Sequence, residues 1–256
     1  MKLDALRLIA ESRFLSTPQV AGLMGISEHA ARGHLRDLFD MGLTDVVAVP
    51  GVAVGSKALI AAKVHYPTKA GLSELDAIGC LPQSAVKVTG YSPRQYAFLG
   101  HELAIRETLV WLTIHARLHP PQRVTMWNCS GNLQALSVRP DAIFHYDLGE
   151  KAIAGILEVD MGSERGTSQG RFDRWAQKAE SYAALYDSEV ALRSLVGTKY
   201  VRIVVSAPNE ERAAWIAQRL EKSPIAEWVW IGRRDDFTTW IRHDGRQESF
   251  FPESSI

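Results

Sequence analysis

Two acidic clusters lie close together in RPDAIFHYDLGEKAIAGILEVDMG, residues 139–162: Pro140-Asp141 at one end and Glu158-Val159-Asp160 at the other. The apolar runs between them, joined by YDLGEKA, read as two core strands of a hairpin. Such a hairpin sets the start of its first strand opposite the end of its second, so Asp141 meets Glu158 at one edge of the sheet. Alternation puts Glu158 and Asp160 on one face and Val159 on the other. Three carboxylates near one point repel each other and are tolerable only if solvated, protonated or neutralised by a cation. An oxygen-only set suits Mg²⁺ or Mn²⁺ far better than zinc. The plainer alternative is a set of ordinary strand-end charges.

The elements that would position these acids follow from the pattern around them. A long helix is expected from about Arg94 to Leu118, stopped by Pro120-Pro121. Strands are expected at 122–128, 133–138, 141–147 and 152–160, then a helix at 168–187, a strand at 200–206, a helix at 209–222 and a strand at 226–231. That order gives a mixed sheet with helices on both faces. In the long helix, Leu103, Ile105, Leu109, Val110, Trp111 and Leu112 surround most of the circumference, and Glu102, Arg106 and Thr113 form a narrow polar side. Glu107 falls outside that side, and a carboxylate there needs a metal or a partner such as Arg139. Trp228, Trp230 and Trp240 are expected in the second core. His101, His115 and His119 share the long helix but lie too far apart for one metal site.

The N-terminal part has a different pattern. A helix over 3–12 is followed by one opening at Ser16 or Thr17 and ending at Gly25, and by one capped by Ser27 and stopped by Gly42. Two strand-like runs, LTDVVAV and ALIAAKVHY, flank PGVAVGSK, and a short helix opens at Thr68. Helix, helix-turn-helix, hairpin and helix is the order of a winged helix-turn-helix. In the third helix Ala31, Leu35, Leu38 and Gly42 fall on one side with Phe39 beside them, while His29, Arg32, Gly33 and Arg36 fall on the other. The small and basic face, opened by Ser27, would suit a major groove, and Lys57 in the wing would suit a phosphate. A merely solvated face is the alternative, since Glu28, Asp37 and Asp40 share the helix.

Composition sets limits on the rest. The formal net charge over 256 residues is zero, so contact with nucleic acid has to come from a local basic surface. Cys80 and Cys129 form no CxxC pair, which fits a reducing compartment. The first residues lack the apolar core of a signal peptide, and no run approaches the length needed to cross a bilayer. A cytoplasmic protein without membrane contact is expected. Residues 76–92, interrupted by Gly79, Pro82 and Gly90, read as a linker between domains at 1–75 and 93–256. The fold class is α/β in the broad sense (α+β).

PD followed a hairpin later by E-x-D resembles the PD-(D/E)xK nuclease superfamily, whose α-βββ-α-β core order matches residues 94–206. More narrowly, nearly the whole chain resembles the replication-relaxation family of plasmid and mobile-element proteins. The resemblance rests on Arg139-Pro140-Asp141-Ala142, Glu158-Val159-Asp160, Gly162, Lys178 and Tyr182, with HELAIRETLVWL at 101–112. It implies a winged helix followed by a restriction-endonuclease-like domain, with double-stranded DNA as partner beside other plasmid replication or mobilisation proteins. Asp141, Glu158 and Asp160 would then hold Mg²⁺ or Mn²⁺, and Glu107 would be the extra acid such nucleases take from the first helix. The superfamily's lysine, however, belongs where Asp160 stands. Lys178, which shares a helical face with Arg171, Arg174 and Tyr182, would replace it, as in members whose lysine has moved to this helix. Otherwise it is a surface lysine. The function implied is replication or relaxation with metal-dependent nicking; the alternative is a DNA-binding regulator or scaffold without hydrolysis.

Overall fold

A computed structural model describes residues 2–49, 62–82, 99–129, 138–147, 152–162, 174–188, 201–234 and 236–242. Its elements run α1 (Lys2–Ser12), β1 (Leu15–Ser16), α2 (Thr17–Met24), α3 (Glu28–Asp40), β2 (Thr44–Val49), β3 (Ala62–Pro67), α4 (Lys69–Ala77), α5 (Leu99–Leu118) and β4 (Arg123–Cys129). They continue with β5 (Ala142–Asp147), β6 (Ala152–Val159), α6 (Arg174–Asp187), β7 (Val201–Ala207), α7 (Glu210–Leu220), a 3₁₀ turn (Ala226–Trp228), β8 (Val229–Arg233) and β9 (Asp236–Arg242). The fold is α+β, with one antiparallel and one mixed sheet. The chain divides into two compact units, Met1–Val110 and Trp111–Ile256, with the division inside α5. Residues 83–98, which include 83–92 of the linker expected at 76–92, lie outside the described residues.

In the first unit three helices precede an antiparallel sheet of order β1-β3-β2. α2 starts where Gln19 Oε1 accepts a hydrogen bond from the Ser16 N–H at 2.8 Å, with Pro18 in the first turn. It ends at Gly25, whose left-handed φ of 67° a side chain would oppose. Ser27 Oγ then accepts from the Ala30 N–H at 3.2 Å, the expected cap of α3. The two-residue strand β1 is not legible in the sequence, because it is too short for any period. Lys57 and the rest of the expected wing tip, 50–57, lie outside the described residues, as do 58–61 of the strand expected after it.

Arg106 departs from expectation. Helical phase sets it on the polar side of α5, yet it is 1% exposed and among the largest fully buried side chains. Its Nε donates to the Ser12 carbonyl at 2.7 Å and its Nη1 lies 3.1 Å from Glu102. The guanidinium therefore satisfies the carboxyl end of α1, where unpaired carbonyls and the helix dipole favour a cation. Arg13 follows in the left-handed region at φ 70°. Leu99 and Leu103 of α5 pack with Phe14, Val47, Val64 and Tyr66. Two other residues of the apolar stripes turn outward: Phe39 is 48% and Trp111 45% exposed. Neither interrupts its stripe, since Ala31, Leu35 and Leu38 bury α3 without Phe39.

The second unit is built on a six-stranded sheet of order β4-β5-β6-β7-β8-β9. β4, β5 and β6 pair antiparallel, β6, β7 and β8 parallel, and β9 antiparallel at the edge. The α-βββ-α-β order expected from the sequence runs from α5 to β7. The last expected strand, 226–231, is instead a 3₁₀ turn followed by β8, and β9 is an addition. Of the tryptophans expected inside, Trp230 is buried and Trp228 packs against the core, while the Trp240 side chain lies outside what is described. Residues 133–137 of another expected strand also lie outside the described residues.

Parity decides which side chains face which helix. Ile143, Ala154, Ile156, Val201, Ile203, Val205, Val229 and Ile231 form one core with Trp175, Ala179 and Tyr182 of α6 and Ile216 and Leu220 of α7. Glu158 and Asp160 continue the parity of Ala154 and Ile156, so they point to that helix-covered face. On the opposite parity Phe144 pairs with Gly155. A Cβ on Gly155 would come within 2.1 Å of the Phe144 ring, so the glycine is what lets the ring lie across the strand. Replacing it by alanine should therefore destabilise the second unit by about 1–3 kcal/mol, as overpacking does. Urea denaturation measures this, and an unchanged midpoint would mean that the ring relocates without cost.

Candidate functional site

The β5–β6 hairpin brings Asp141 and Glu158 together as the spacing requires. Ala142 pairs with Leu157, so Asp141 follows one step beyond, across from Glu158. The Asp141 N–H donates to the Leu157 carbonyl at 3.0 Å, and its Oδ2 accepts from the Val159 N–H at 2.7 Å. Glu158 is 1% exposed. Its Oε2 accepts from Lys178 Nζ at 2.7 Å and its Oε1 from the Tyr182 hydroxyl at 2.5 Å. Burial, joined by the Asp141 charge, raises the Glu158 pKa above its ordinary value, despite the opposing pull of Lys178 and Tyr182. Burial also pushes the Tyr182 hydroxyl up, with the Glu158 charge and hydrogen bond adding to it.

Lys178 thus lies at the acid, although a connecting segment and the first turn of α6 separate it from the strand in sequence. It keeps about a third of its side chain exposed. Beside the pair opens a cleft of about 320 Å³, lined by Val138, Arg139, Glu158, Arg174, Gln177, Lys178 and Ser181. Three of those residues are cationic and one is acidic, so the cleft has an excess of positive charge despite the neutral chain.

Asp160 departs from the expected cluster. It is on the Glu158 face and 3% exposed, but its carboxylate is turned to other partners. Arg212 of α7 binds it in a fork, Nε to Oδ1 at 2.9 Å and Nη2 to Oδ2 at 2.8 Å. The Gly162 N–H donates to Oδ1 at 2.6 Å and the Trp175 indole N–H to Oδ2 at 3.3 Å. Each oxygen therefore accepts two hydrogen bonds, which fills its lone-pair directions. Burial would raise this pKa, but the bonds from Arg212, Gly162 and Trp175 and the guanidinium charge outweigh it and the net direction is down. Among the described residues no group of three His, Cys, Asp or Glu is placed to hold a metal ion. The three-carboxylate site is corrected to a pair, Asp141 and Glu158, beside a separately neutralised Asp160.

Sequence pattern did not single out Arg212, Trp175 or Arg234, whose Nη2 donates to the Asp160 carbonyl at 2.8 Å. One signal points to the first of them. Arg212 sits in the first turn of α7, its N–H bonded to the Asn209 cap at 2.8 Å, where a helix disfavours a cation. An arginine placed against the dipole implies a carboxylate partner elsewhere. Of the other site residues, Glu107 is buried and belongs to the half of α5 that falls in the first unit. Arg171 lies outside the described residues. On α3, Ser27, His29, Arg32, Gly33 and Arg36 are all exposed. Arg32 and Arg36 lie 3.8 Å from Glu28 and Asp40, distances at which exposed pairs bind weakly.

Residues 6–196 match the replication-relaxation family. The chain belongs to that family. Membership ties it to the replication and relaxation of plasmids and mobile elements. No curated protein and no solved structure matches it. The span matched to the replication-relaxation family takes in Asp141, Glu158, Asp160, Trp175, Lys178 and Tyr182, and ends before Arg212 and Arg234. Among the described residues no helix is long and apolar enough to cross a membrane.

The two acids of β6 should affect stability with opposite sign as pH changes. Glu158 has its folded pKa above the ordinary 4.5, so its charged form costs stability progressively as pH rises from there. Asp160 has its folded pKa below the ordinary 3.8, so its contribution is present above that pH and is lost on going lower. With a chelator present, the stability of the natural chain relative to Glu158→Gln should fall as pH rises above 4.5. Relative to Asp160→Asn it should fall as pH drops below 3.8. Urea midpoints across the acid range test both, and two differences moving in the same direction would contradict the assignment.

Proposed function

We propose that this replication-relaxation protein binds duplex DNA through the exposed face of α3 and cleaves a phosphodiester at the Glu158 cleft. The observation that carries the reading is the buried Glu158 held by Lys178 at 2.7 Å, on a cleft whose other charged lining residues, Arg139 and Arg174, are cations. A phosphodiester is an anion with charge that grows in its transition state, and such a cleft is complementary to it.

Asp141 and Glu158 fit a magnesium or manganese ion. They are two adjacent carboxylates, set across the hairpin from one another at one end of the sheet. Two carboxylates with water suffice for magnesium, whereas Asp160, filled by its four donors, does not fit. When bound, such an ion supplies Lewis acidity toward a phosphoryl oxygen. The chain's own residues do the rest. Arg139 and Arg174 draw the strand's phosphates to the cleft, Lys178 sets an ammonium against the developing charge, and Tyr182 holds the Glu158 carboxylate in orientation. On α3, Arg32 and Arg36 are exposed and only loosely paired, so exchanging their carboxylates for phosphates costs little.

A second reading, a DNA-binding scaffold without hydrolysis, is favoured by one observation: both oxygens of Glu158 already accept hydrogen bonds from the protein. Supercoiled plasmid incubated with Mg²⁺ or Mn²⁺ separates the two. The nuclease reading expects relaxed or linear product that Glu158→Ala abolishes and Lys178→Ala slows by about 10²–10³-fold, the usual effect of removing one donor to transition-state charge. No product from protein that still shifts DNA on a gel would establish the scaffold. For the α3 face, Arg32→Ala with Arg36→Ala should weaken binding and lower the slope of log K against log salt by about 0.9 for each phosphate no longer neutralised. Unchanged binding at every salt concentration would remove that face from the interface.

A further inference from the structure

We infer that Asp160 is a positioning residue for Lys178 and acts on it through the indole of Trp175. The inference rests on the reading of Lys178 as part of the site. It is carried by a continuous set of contacts. Arg212 of α7 fixes Asp160 through two hydrogen bonds of 2.9 and 2.8 Å. Asp160 Oδ2 receives the Trp175 indole N–H at 3.3 Å, and Trp175 is 3% exposed, so its ring is held by a bond at one edge and by packing around it. The Lys178 ammonium lies over that ring, 4.9 Å from its centroid, while donating to Glu158 at 2.7 Å.

The spacing explains why the arrangement closes. Trp175, Lys178 and Tyr182 are three and then four apart on α6 and share one helical face. Glu158 and Asp160 are two apart on β6 and share one face of the sheet. Helix face meets strand face, so that Lys178 and Tyr182 reach Glu158 while Trp175 reaches Asp160. A lysine on a flexible four-carbon stem has many rotamers, and one anion alone restricts it little. The ring face adds a second fixed attachment for the same ammonium, and its electrostatic attraction is directional. A lysine in place of Asp160 would instead be set against the Arg212 guanidinium. In this chain the position two after the glutamate is thus used to orient the indole on which Lys178 rests. It is not used to supply a cation.

The test reads Lys178 itself, without DNA or metal, so a catalytically silent protein does not obscure it. Labelling of Lys178 by an amine-reactive reagent at one fixed pH, followed by mass spectrometry, gives a rate in the folded protein. Asp160→Ala and Trp175→Leu should raise that rate by about two- to fivefold, the factor that corresponds to removal of a partly exposed cation–π interaction. Asp160→Asn, whose amide oxygen still accepts the indole N–H, should fall between the natural chain and Asp160→Ala. Trp175→Phe keeps a ring face without the N–H and serves where Asp160→Ala does not fold; it too should label faster than the natural chain. Glu158→Gln, by loosening the ammonium directly, calibrates the response. Lys178 labelling unchanged in folded Asp160→Ala or Trp175→Phe, with Glu158→Gln labelling faster, would overturn the inference and reduce Asp160 to a tie between β6 and α7. Failure of the natural chain to cleave plasmid would instead count against the nuclease reading and leave the labelling result standing.

Discussion

The structure of the second unit depends on neutralising two carboxylates buried at the end of one strand. Glu158 and Asp160 are 1% and 3% exposed, and an unpaired charge at either place would be strongly destabilising. The two are satisfied from different elements. Lys178 and Tyr182 of α6 serve Glu158, and Arg212 of α7 with Trp175 of α6 serves Asp160. Both helices that cover this face of the sheet are therefore tied to the same strand end by charge as well as by the apolar contacts of Trp175, Ala179, Ile216 and Leu220. The strand end is fixed from its other side by the Asp141 side chain, bonded to the Val159 N–H.

The two acids are held by different sets of donors. Asp160 has a bidentate guanidinium and two further donors, and its pKa falls. Glu158 has one ammonium and one hydroxyl, but its burial, with the Asp141 charge adding to it, outweighs them and its pKa rises. Their environments thus push these two neighbouring acids in opposite directions. The cleft opens at Glu158. Its three cations give a local positive surface on a chain whose formal net charge is zero.

The first unit carries a parallel division between buried and exposed charge. Arg106 is enclosed and satisfies the end of α1, so it belongs to the frame of that unit. Arg32 and Arg36 stand 65% and 82% exposed on α3, each near an acid one turn away. The frame arginine is held by a carbonyl that cannot leave, whereas the surface arginines face solvated carboxylates that a polyanion can replace. Ordinary helix periodicity separates the two groups only in part, because it reports polarity and not the presence of a partner.

Local chemistry in the sequence determined a good deal. The caps at Ser27 and Thr68, the stop at Gly25, the exposed face of α3 and the β5–β6 hairpin that sets Asp141 against Glu158 follow from period, turn residues and capping atoms over a few neighbouring positions. Lys178 was singled out by the resemblance to nucleases whose lysine stands on this helix, and helical period added only that it shares a face with Tyr182. What only the tertiary structure decided was the use of each charge. The sequence grouped Asp160 with Asp141 and Glu158 because all three are acids at strand ends on the same parity. The fold assigned it to Arg212, which lies 52 residues later, and to the indole of Trp175. Arg106 likewise has the pattern of solvent-facing polarity, and only the fold lays the Ser12 carbonyl, 94 residues away, against it. The reason is the same in both cases. Parity and helical phase are local and fix the direction of a side chain, but the partner that neutralises a buried charge is chosen by packing between elements distant in sequence.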